Sequence, residues 1–256
     1  MNLIKAIYKR ILSEKLRIQI IEFFRLMKAP LYYGDNFYCN VCDKSFKQFF
    51  PKGNFPRSNA QCPYCSSLER TRVLDLYLAK ELDLYNQSNI SVLHFAPESG
   101  LFKKINKIKQ INYIDGDINP AYARYKIDIT DIPYPDNSFD YIICSHVLGH
   151  VPDENQAIRE LYRVAKSDAE VLVLSLLSAC ELTNEDASLT KPADRLQVYG
   201  EADLCRLHGN DFSNRLRAGG FKVDEIDYRL NFSSEIQQKY SLGDGRREKI
   251  FRCVKS

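Results

Sequence analysis

Residues 91–151 read SVLHFAPESGLFKKINKIKQINYIDGDINPAYARYKIDITDIPYPDNSFDYIICSHVLGHV, and this stretch decides the fold. It contains three apolar runs, Ser91–Phe95, Ile111–Ile114 and Phe139–Cys144, which are rich in β-branched or aromatic residues. Runs this short that end in polar or turn residues predict buried strands. Because ligands of an open α/β sheet bind outside the carboxyl ends of its strands, the stretch predicts the ligand-binding half of a doubly wound sheet. The polar side chains that follow the runs are Glu98, Asp115, Asp117, Asp128 and His146.

The rest of the chain continues this alternation of strands and helices. Asp153 is placed to cap a helix over Asp153–Lys166, because Gln156 follows three residues later. Residues 178–210 are polar and irregular, and so long a loop in a compact domain is usually functional. The fold class predicted is therefore α/β. Further predicted elements are helices at Leu68–Tyr85, Leu101–Lys109, Pro120–Tyr125 and Asp211–Ala218, and strands at Val171–Leu177, Phe221–Tyr228 and Lys249–Val254.

The charge of the chain is unevenly distributed. The 256 residues carry a net charge of +3, but residues 1–30 hold seven Lys or Arg against two Glu, a net +5, which leaves −2 for the remainder. A body that is not basic weighs against a large nucleic-acid interface. The N-terminus lacks the compact apolar core of a secretory signal, so a reducing cytoplasm is expected.

Residues 1–30 predict a basic amphipathic helix. Its apolar stripe has Lys5, Lys9 and Arg10 beside it, and Pro30 ends the segment. Such a helix can lie peripherally on an anionic membrane surface, here the inner membrane, through residues 1–28. It can equally pack on its own domain or on a second subunit, and the stripe alone does not separate these alternatives. The stripe consists of Ile4, Ile7, Tyr8, Ile11 and Leu12.

Four of the eight cysteines form two C-x-x-C pairs within residues 31–67. The first pair is Cys39 and Cys42, and the second is Cys62 and Cys65. Nineteen residues separate Cys42 from Cys62. This spacing is typical of a zinc ribbon, in which two knuckles close a tetrahedral thiolate site. Four thiolates leave no open position, so the Zn²⁺ is expected to be structural; the alternative is a redox pair. We divide the chain into the helix at 1–30, the zinc-ribbon-like module at 31–67 and an α/β domain at 68–256.

Several motifs resemble the class I S-adenosylmethionine-dependent methyltransferases, and within them the methyltransferase type 11 group. They are VLHFAPES-x-L, DITDIPYPDNSFDYIICSHVLxHVPD and AIRELYRVAK, together with a CNVC…R-x-NA-x-CPYCSSLER module. The resemblance covers about residues 37–230 and implies a Rossmann-like sheet of seven strands, the last of them antiparallel. Its subgroup is associated with cell-surface polysaccharides, which implies a small-molecule or glycan acceptor. The first strand is followed by HFAPESG, whose single Gly does not suit a dinucleotide pyrophosphate.

The resemblance also implies roles for particular residues. Asp117 is favoured over Asp115 for the ribose hydroxyls, and Asp128 with the backbone of Ile129 is expected at the adenine. His146 is the candidate catalytic base, because a near-neutral imidazole at a strand tip can accept a proton. The remaining cofactor-binding residues are expected to be Phe95, Ala96, Pro97, Glu98, Cys144 and Ser145, and the substrate-binding residues His150, Arg195, Arg206 and His208.

The chain departs from the family pattern at three places. Gly149 replaces an acid in HVLGHV, Leu204 replaces a His in Asp203-Leu-Cys-Arg206, and residues 167–170 replace a Pro-Gly-Gly turn. Two of these changes fall on the predicted acceptor side. Three functions therefore stay open: a methyltransferase for a small molecule or glycan precursor, an rRNA methyltransferase, and a non-catalytic binding protein that keeps the fold.

Overall fold

A computed structural model describes residues 12–255 of the chain. The first part consists of one helix and two small antiparallel hairpins, which carry the C-x-x-C pairs. The predicted helix over residues 1–30 is present from Glu14 onward, and its part over residues 1–11 lies outside the described residues. The elements are α1 (Glu14–Lys28), a 3₁₀ turn (Ala29–Tyr32), β1 (Tyr33–Cys39), β2 (Lys44–Phe46), β3 (Phe50–Lys52) and β4 (Arg57–Gln61).

The second part alternates strands and helices. Its elements are α2 (Glu69–Lys80), β5 (Ile90–Phe95), α3 (Ser99–Ile105), β6 (Ile111–Asp117), β7 (Tyr125–Lys126), β8 (Phe139–Ser145), α4 (Glu154–Val164), β9 (Ala165–Leu174), β10 (Asn184–Glu185), α5 (Pro192–Tyr199), β11 (Arg206–Leu207), α6 (Phe212–Ala218), β12 (Phe221–Ile226), α7 (Ser234–Tyr240) and β13 (Ile250–Lys255); short 3₁₀ turns occupy Leu84–Asn86, Leu148–His150 and Tyr228–Asn231.

Seven strands form one sheet in the order β12-β13-β9-β8-β5-β6-β7. Strands β5, β6, β7, β8 and β9 pair in parallel, whereas β13 is inserted antiparallel between β9 and β12. The doubly wound sheet with an antiparallel last strand is thus confirmed. Because the parallel strands share one direction, the carboxyl ends of β5, β6 and β8 meet at one edge.

The two faces of the sheet are covered by different helices. Ile142 and Cys144 of β8 belong to the cluster that packs against α4 and α6, whereas Ile143 belongs to the cluster under α2 and α3. This alternation follows from the two-residue period of a strand. Both faces are apolar, so the predicted strands read as continuous hydrophobic runs.

Several predicted boundaries differ from the structure. The Asp153 side chain accepts from the backbone N–H of Gln156 at 2.9 Å, so the predicted cap of α4 is confirmed. The predicted helix over Pro120–Tyr125 was wrong: a turn there leads into β7, because Arg124 is bound to Asp115. The strand expected at Val171–Leu177 runs over Ala165–Leu174, and the loop at 178–210 contains α5 and the antiparallel pair of β10 with β11.

Among residues 12–255 no helix combines the length and the apolar character that a membrane span requires. The domain boundaries at residues 30 and 67 stay predictions. The cysteine module and the α/β domain are nonetheless joined by one fully buried side chain, Arg72 of α2.

Arg72 donates hydrogen bonds to carbonyl oxygens of three segments. Its guanidinium reaches Ala60 at 3.0 Å and Ser67 at 2.8 Å in the cysteine module, and Tyr240 and Ser241, both at 2.7 Å, at the end of α7. A planar fork with five N–H donors suits such a junction. The hydrogen bonds to Ala60 and Ser67 are buried, so removing Arg72 takes a charged donor away from acceptors in the protein interior.

We expect Arg72→Met to lower the free energy of unfolding by about 3–5 kcal/mol, because the carbonyl acceptors lose the hydrogen bonds that a charged donor made to them. Urea unfolding followed by circular dichroism measures this change. The matched control is Arg159→Met on the exposed face of α4, where Arg159 donates hydrogen bonds to the Gln156 side chain, and a change within about 0.5 kcal/mol is expected. Equal effects of the two substitutions would contradict the role of Arg72 as the junction.

Candidate functional site

A cavity of about 540 Å³ opens at the carboxyl ends of β5, β6 and β8. Its volume lies within the usual range for cofactor and small-molecule sites. The strand-end rule applied to the sequence predicts a ligand at this place. The lining residues are Phe95, Ala96, Gly116, Asp117, Ile118, Asn119, Tyr122, Ile127, Asp128, Ile129, Thr130, His146, Val147, His150, Val151, Pro152, Asp153 and Asp203.

Two residues of the lining adopt left-handed backbone conformations. Ala96 follows β5 with φ of +46° and His146 follows β8 with φ of +57°. A non-glycine residue in this region stores strain on the order of 1 kcal/mol or more, which the surrounding structure must offset. The backbone N–H of Ala96 is fixed by the carbonyl of Gly116 at 2.9 Å, and that of His146 by Leu174 at 2.8 Å. Both tight turns therefore direct main chain toward the cavity without a glycine.

Asp115 and Asp117, the two candidates for the ligand-binding acid at the end of β6, have different surroundings. Asp115 is buried, and its two oxygens accept from the backbone and the side chain of Arg124. Asp117 lines the cavity and accepts from the backbone of Asn119 at 2.7 Å through Oδ1. Partial burial raises the pKa of Asp117 from its usual value. Asp117 is therefore the acid that a ligand in the cavity can reach.

Four other residues of the predicted cofactor set lie behind the lining. Glu98 directly precedes α3, and its side chain accepts from Ser145 Oγ at 3.2 Å and Arg70 Nε at 3.3 Å. Cys144 is buried in the core, where burial raises the pKa of its thiol. Pro97 stands between Ala96 and Glu98 and does not line the cavity. Phe95, Ala96, Asp128 and Ile129 do line it, as expected from the sequence.

The charged groups of the lining are all of one sign. Four aspartates line the cavity and, among the described residues of its wall, none is Lys or Arg. Such a wall favours a cationic ligand and disfavours a pyrophosphate. The four are Asp117, Asp128, Asp153 and Asp203.

His146 is held in one orientation at the floor of the cavity. Its Nε2 donates to the carbonyl oxygen of Arg247 at 3.0 Å, since a carbonyl can only accept. Burial, with the charge of Arg70 as the second cause, holds the pKa of His146 well below its usual value. The imidazole is therefore neutral at physiological pH, with its lone pair on Nδ1.

The two departures from the family pattern on the acceptor side contact each other. A Cβ added to Gly149 would lie 2.8 Å from Cδ2 of Leu204, and the backbone N–H of Cys205 donates to the Gly149 carbonyl at 2.8 Å. Leu204 is buried. A larger residue at 149 thus needs a smaller or polar partner at 204, so the two departures form one apolar contact.

The structure assigns Arg206 and His208 to internal contacts and not to the predicted acceptor surface. Arg206 is buried and donates to the carbonyls of Leu148, Val151 and Pro152. These carbonyls belong to the turn that forms one cavity wall, so Arg206 positions that wall.

His208 is fully buried between Ser175 and Glu154, each 2.6 Å from one ring nitrogen. Arg195 donates to the Leu189 carbonyl at 2.7 Å within its own loop. Of the four predicted substrate-binding residues only His150 lines the cavity. The sequence could not show this, because the carbonyls that bind Arg206 and the side chains that enclose His208 lie more than thirty residues away.

Asn119, Tyr122 and Asp203 also line the cavity, and the sequence reasoning did not select them. Asn119 and Tyr122 follow β6, so the strand-end rule could have included them. Asp203 lies in the long loop and belongs to the segment Asp203-Leu-Cys-Arg206, which the family pattern marks as part of the acceptor side without giving Asp203 a role.

The four predicted metal ligands converge. The Sγ atoms of Cys39 and Cys65 lie 3.6 Å apart and those of Cys42 and Cys62 3.8 Å apart, and all four lie within 4.8 Å of one another. A tetrahedral site with Zn–S bonds of about 2.3 Å places its sulfurs about 3.8 Å apart. The arrangement therefore fits Zn²⁺ and leaves no position for a reactant.

The cysteine cluster supports the helix that follows the first strand of the large sheet. A Cβ on Gly100 of α3 would lie 3.2 Å from Sγ of Cys65 and 3.0 Å from Val41. A side chain at this position would have to displace its neighbours by a few tenths of an ångström, so glycine favours the close approach of α3. Because α3 begins next to Ala96, the cluster buttresses one wall of the cavity.

Comparison with known proteins agrees with this geometry. Residues 91–173, which include β5, β6, β8 and most of β9, match the type 11 family model described as a methyltransferase domain. The chain contains a class I S-adenosylmethionine-dependent methyltransferase domain. The matched segment supplies nearly all of the cavity lining.

Curated relatives of the methyltransferase domain differ in what they act on. The chain is 36% identical over 69 residues to ajmaline N-methyltransferase of Rauvolfia serpentina, which covers 27% of this chain and 23% of the relative. It is 34% identical over 117 residues to the ubiquinone/menaquinone biosynthesis C-methyltransferase UbiE of Escherichia coli, covering 43% and 45%. The chain thus spans less than half the length of either relative.

A solved [4+2]-cyclase, SpnF, has the same fold. Its TM-score is 0.51 at 14% identity, over 81% of this chain and 86% of that one. At this identity the likeness shows the fold alone, so the reaction must be argued from the site.

We expect Asp117→Asn to weaken the binding of S-adenosylhomocysteine by about tenfold or more, because it removes a charged acceptor while keeping an oxygen for the Asn119 N–H. Isothermal titration calorimetry measures the affinity. Asp131→Asn is the matched control, since Asp131 is exposed and does not line the cavity; less than a twofold change is expected there. Unchanged affinity in Asp117→Asn would refute Asp117 as the ligand-binding acid.

We expect Cys62→Ser to lose zinc and to lower the thermal unfolding midpoint, because a structural site contributes its binding free energy to folding. It should also weaken S-adenosylhomocysteine binding, since α3 loses its support at Gly100. Elemental analysis, differential scanning calorimetry and titration measure the three effects. Cys180→Ser, an exposed cysteine outside the cluster, should change none of them. Fresh unmutated protein with far less than one zinc per chain would overturn the zinc site.

Proposed function

We propose that the chain transfers a methyl group from S-adenosylmethionine to a small molecule or a cell-surface glycan precursor. The observation that carries this proposal is the wall of the cavity, where the described residues that line a space of about 540 Å³ include four aspartates and no Lys or Arg. S-adenosylmethionine carries a cationic sulfonium and an ammonium but no phosphate. The family match over residues 91–173 supports the same cofactor.

The residues of the lining divide between the parts of such a cofactor. Asp117 has an oxygen available for the ribose hydroxyls, and Asp128 with the backbone of Ile129 is suited to the adenine edge. The left-handed turn at Ala96 presents main-chain groups to the methionine end. When bound, the cofactor supplies a methyl group that is already activated. The chain therefore has to align the reactants and exclude water.

His146 is the proposed base for an acceptor that must lose a proton. Its proton resides on Nε2, which is bound to the Arg247 carbonyl, so Nδ1 has the free lone pair. The low pKa keeps it unprotonated through the neutral range. The acid limb of the pH–rate profile should accordingly lie below the usual range of a histidine.

The acidic wall also bears on the kind of acceptor. Asp153 and Asp203 stand on the same wall as His150, where the phosphates of an RNA would meet like charge. A small molecule or glycan precursor is therefore favoured over rRNA. We place the reaction in the cytoplasm, because four thiolate ligands require a reducing compartment.

A non-catalytic binding protein is the second candidate function. It is favoured by the contact between Gly149 and Leu204, which replaces two polar residues of the family pattern with an apolar pair. Such a protein would bind S-adenosylmethionine without turnover.

Transfer of a tritium-labelled methyl group tests these alternatives, with acceptor fractions prepared from cells that lack the gene. Label in the small-molecule or envelope-glycan fraction supports the proposal. Label in rRNA overturns the acceptor class. Binding of S-adenosylhomocysteine without label in any fraction favours the non-catalytic protein, and absence of binding overturns both.

We expect His146→Asn to reduce turnover on the labelled fraction by about 10²–10⁴-fold, which is the usual contribution of a general base. Asparagine tolerates the left-handed conformation at this position, so the turn should persist. The affinity for S-adenosylhomocysteine should change by less than about threefold, since binding does not need the base. Full turnover in this variant would exclude His146 as the base.

A further inference from the structure

Helix α1 (Glu14–Lys28) turns its polar side toward the rest of the protein. Glu14 accepts from Asn119 Nδ2 at 3.0 Å and from the Tyr122 hydroxyl at 3.1 Å. Glu22 accepts from Ser99 and Lys103, eight residues further along the helix. Positions 14, 18, 22 and 25 share one face of a helix, so the inward side is anchored by hydrogen bonds and ion pairs.

Arg25 completes this inward face. Its guanidinium donates to the carbonyls of Pro63 and Tyr64 in the cysteine module. No residue of α1 is fully buried. The helix is therefore attached through polar contacts to the cysteine module, to α3 and to the loop after β6.

The opposite side of α1 is apolar and faces outward. Phe23, Phe24 and Met27 are 59%, 57% and 65% exposed. Ile21 and Leu31 are also exposed beside this face. Helical spacing of i, i+4, i+7, i+8 and i+11 puts the face on one side. Its members are Leu16, Ile20, Phe23, Phe24 and Met27.

This orientation is the reverse of that in an ordinary surface helix, where the apolar stripe faces the core. Exposed apolar area costs about 25 cal/mol per Å², and a contiguous patch of this kind marks an interaction site. Ile4, Ile7, Tyr8 and Ile11 of the stripe predicted from the sequence lie outside the described residues, so the packing of that stripe stays a prediction. Residues 14–28 contact the rest of the protein through their polar side.

The charges around the apolar face are positive. Lys15 lies along one edge of the face, and Arg17 and Lys28 lie along the other. The two acids of the helix, Glu14 and Glu22, are on the inward side and are already bound. In the sequence, residues 1–11 add Lys5, Lys9 and Arg10 and no acid, which strengthens the positive charge of this end.

We propose that α1 docks this apolar face on an anionic lipid surface. Aromatic and aliphatic side chains would enter the interface while the flanking cations meet the acidic head groups. A second copy of the chain is the weaker occupant, because the face offers no acid to pair with the cations of its partner. The proposal does not depend on the methyl acceptor.

Docking would also orient the cavity. Glu14, at the first turn of α1, is hydrogen-bonded to Asn119 and Tyr122, and both of these line the cavity. The helix therefore contacts residues of the cavity rim directly. On a lipid surface it would hold the cavity close to that surface.

Co-sedimentation of the full chain with vesicles tests the proposal. We expect binding to vesicles of phosphatidylcholine mixed with phosphatidylglycerol, little binding to phosphatidylcholine alone, and weakening by salt. The triple variant Phe23→Ser/Phe24→Ser/Met27→Ser should bind at least about tenfold more weakly, because its apolar side chains no longer enter the interface. Lys15→Gln/Lys28→Gln should lose about tenfold or more, and only for the anionic vesicles.

Matched controls separate the face from general surface effects. Leu230→Ser removes a side chain that is 72% exposed elsewhere, and Lys109→Gln removes an exposed lysine away from α1; neither should change binding. S-adenosylhomocysteine affinity should persist in all variants, which shows that the fold is intact. Equal binding to neutral and anionic vesicles, or no binding to either, would overturn the proposal. So would a dimer that light scattering detects and the triple variant abolishes.

Discussion

Both faces of the seven-stranded sheet are buried, and this constraint determines where polar groups of the central strands can act. Along β5, β6 and β8 the apolar side chains pack into the two clusters. Polar side chains can therefore contact a ligand only where these strands end. Because these strands are parallel, their ends meet at one edge. The position of the cavity, Asp117 at the end of β6 and His146 directly after β8 follow from that arrangement.

The cysteine module contributes to the same site from outside the sheet. It contacts α3 through the close approach of Cys65 to Gly100 and is joined to α2 and α7 by Arg72. The four converging cysteines therefore have a mechanical connection to the cavity. Helix α1 adds a second connection, since Arg25 holds the module while Glu14 holds the rim.

The acceptor side shows how departures from a family pattern can be coupled. Gly149 and Leu204 are 55 residues apart in the sequence, yet Leu204 fills the space that a side chain at position 149 would need. Arg206 then fastens the loop by donating to three carbonyls of the cavity wall. Residues that resemble substrate contacts in the sequence thus act by positioning the backbone.

The sequence by itself determined the strands, the C-x-x-C spacing and the cap of α4, because these depend on local period and on chemistry within a few residues. It also indicated Asp117 and Asp128, since strand ends carry the site in this fold. Only the tertiary structure decided that both oxygens of Asp115 accept hydrogen bonds from Arg124. It also decided that His208 is enclosed by Ser175 and Glu154, and that α1 turns its apolar face outward. The partners of His208 are distant in the chain, Arg124 reaches Asp115 through the turn that leads into β7, and the outward face of α1 depends on which side of the helix meets the protein. A local pattern encodes none of these.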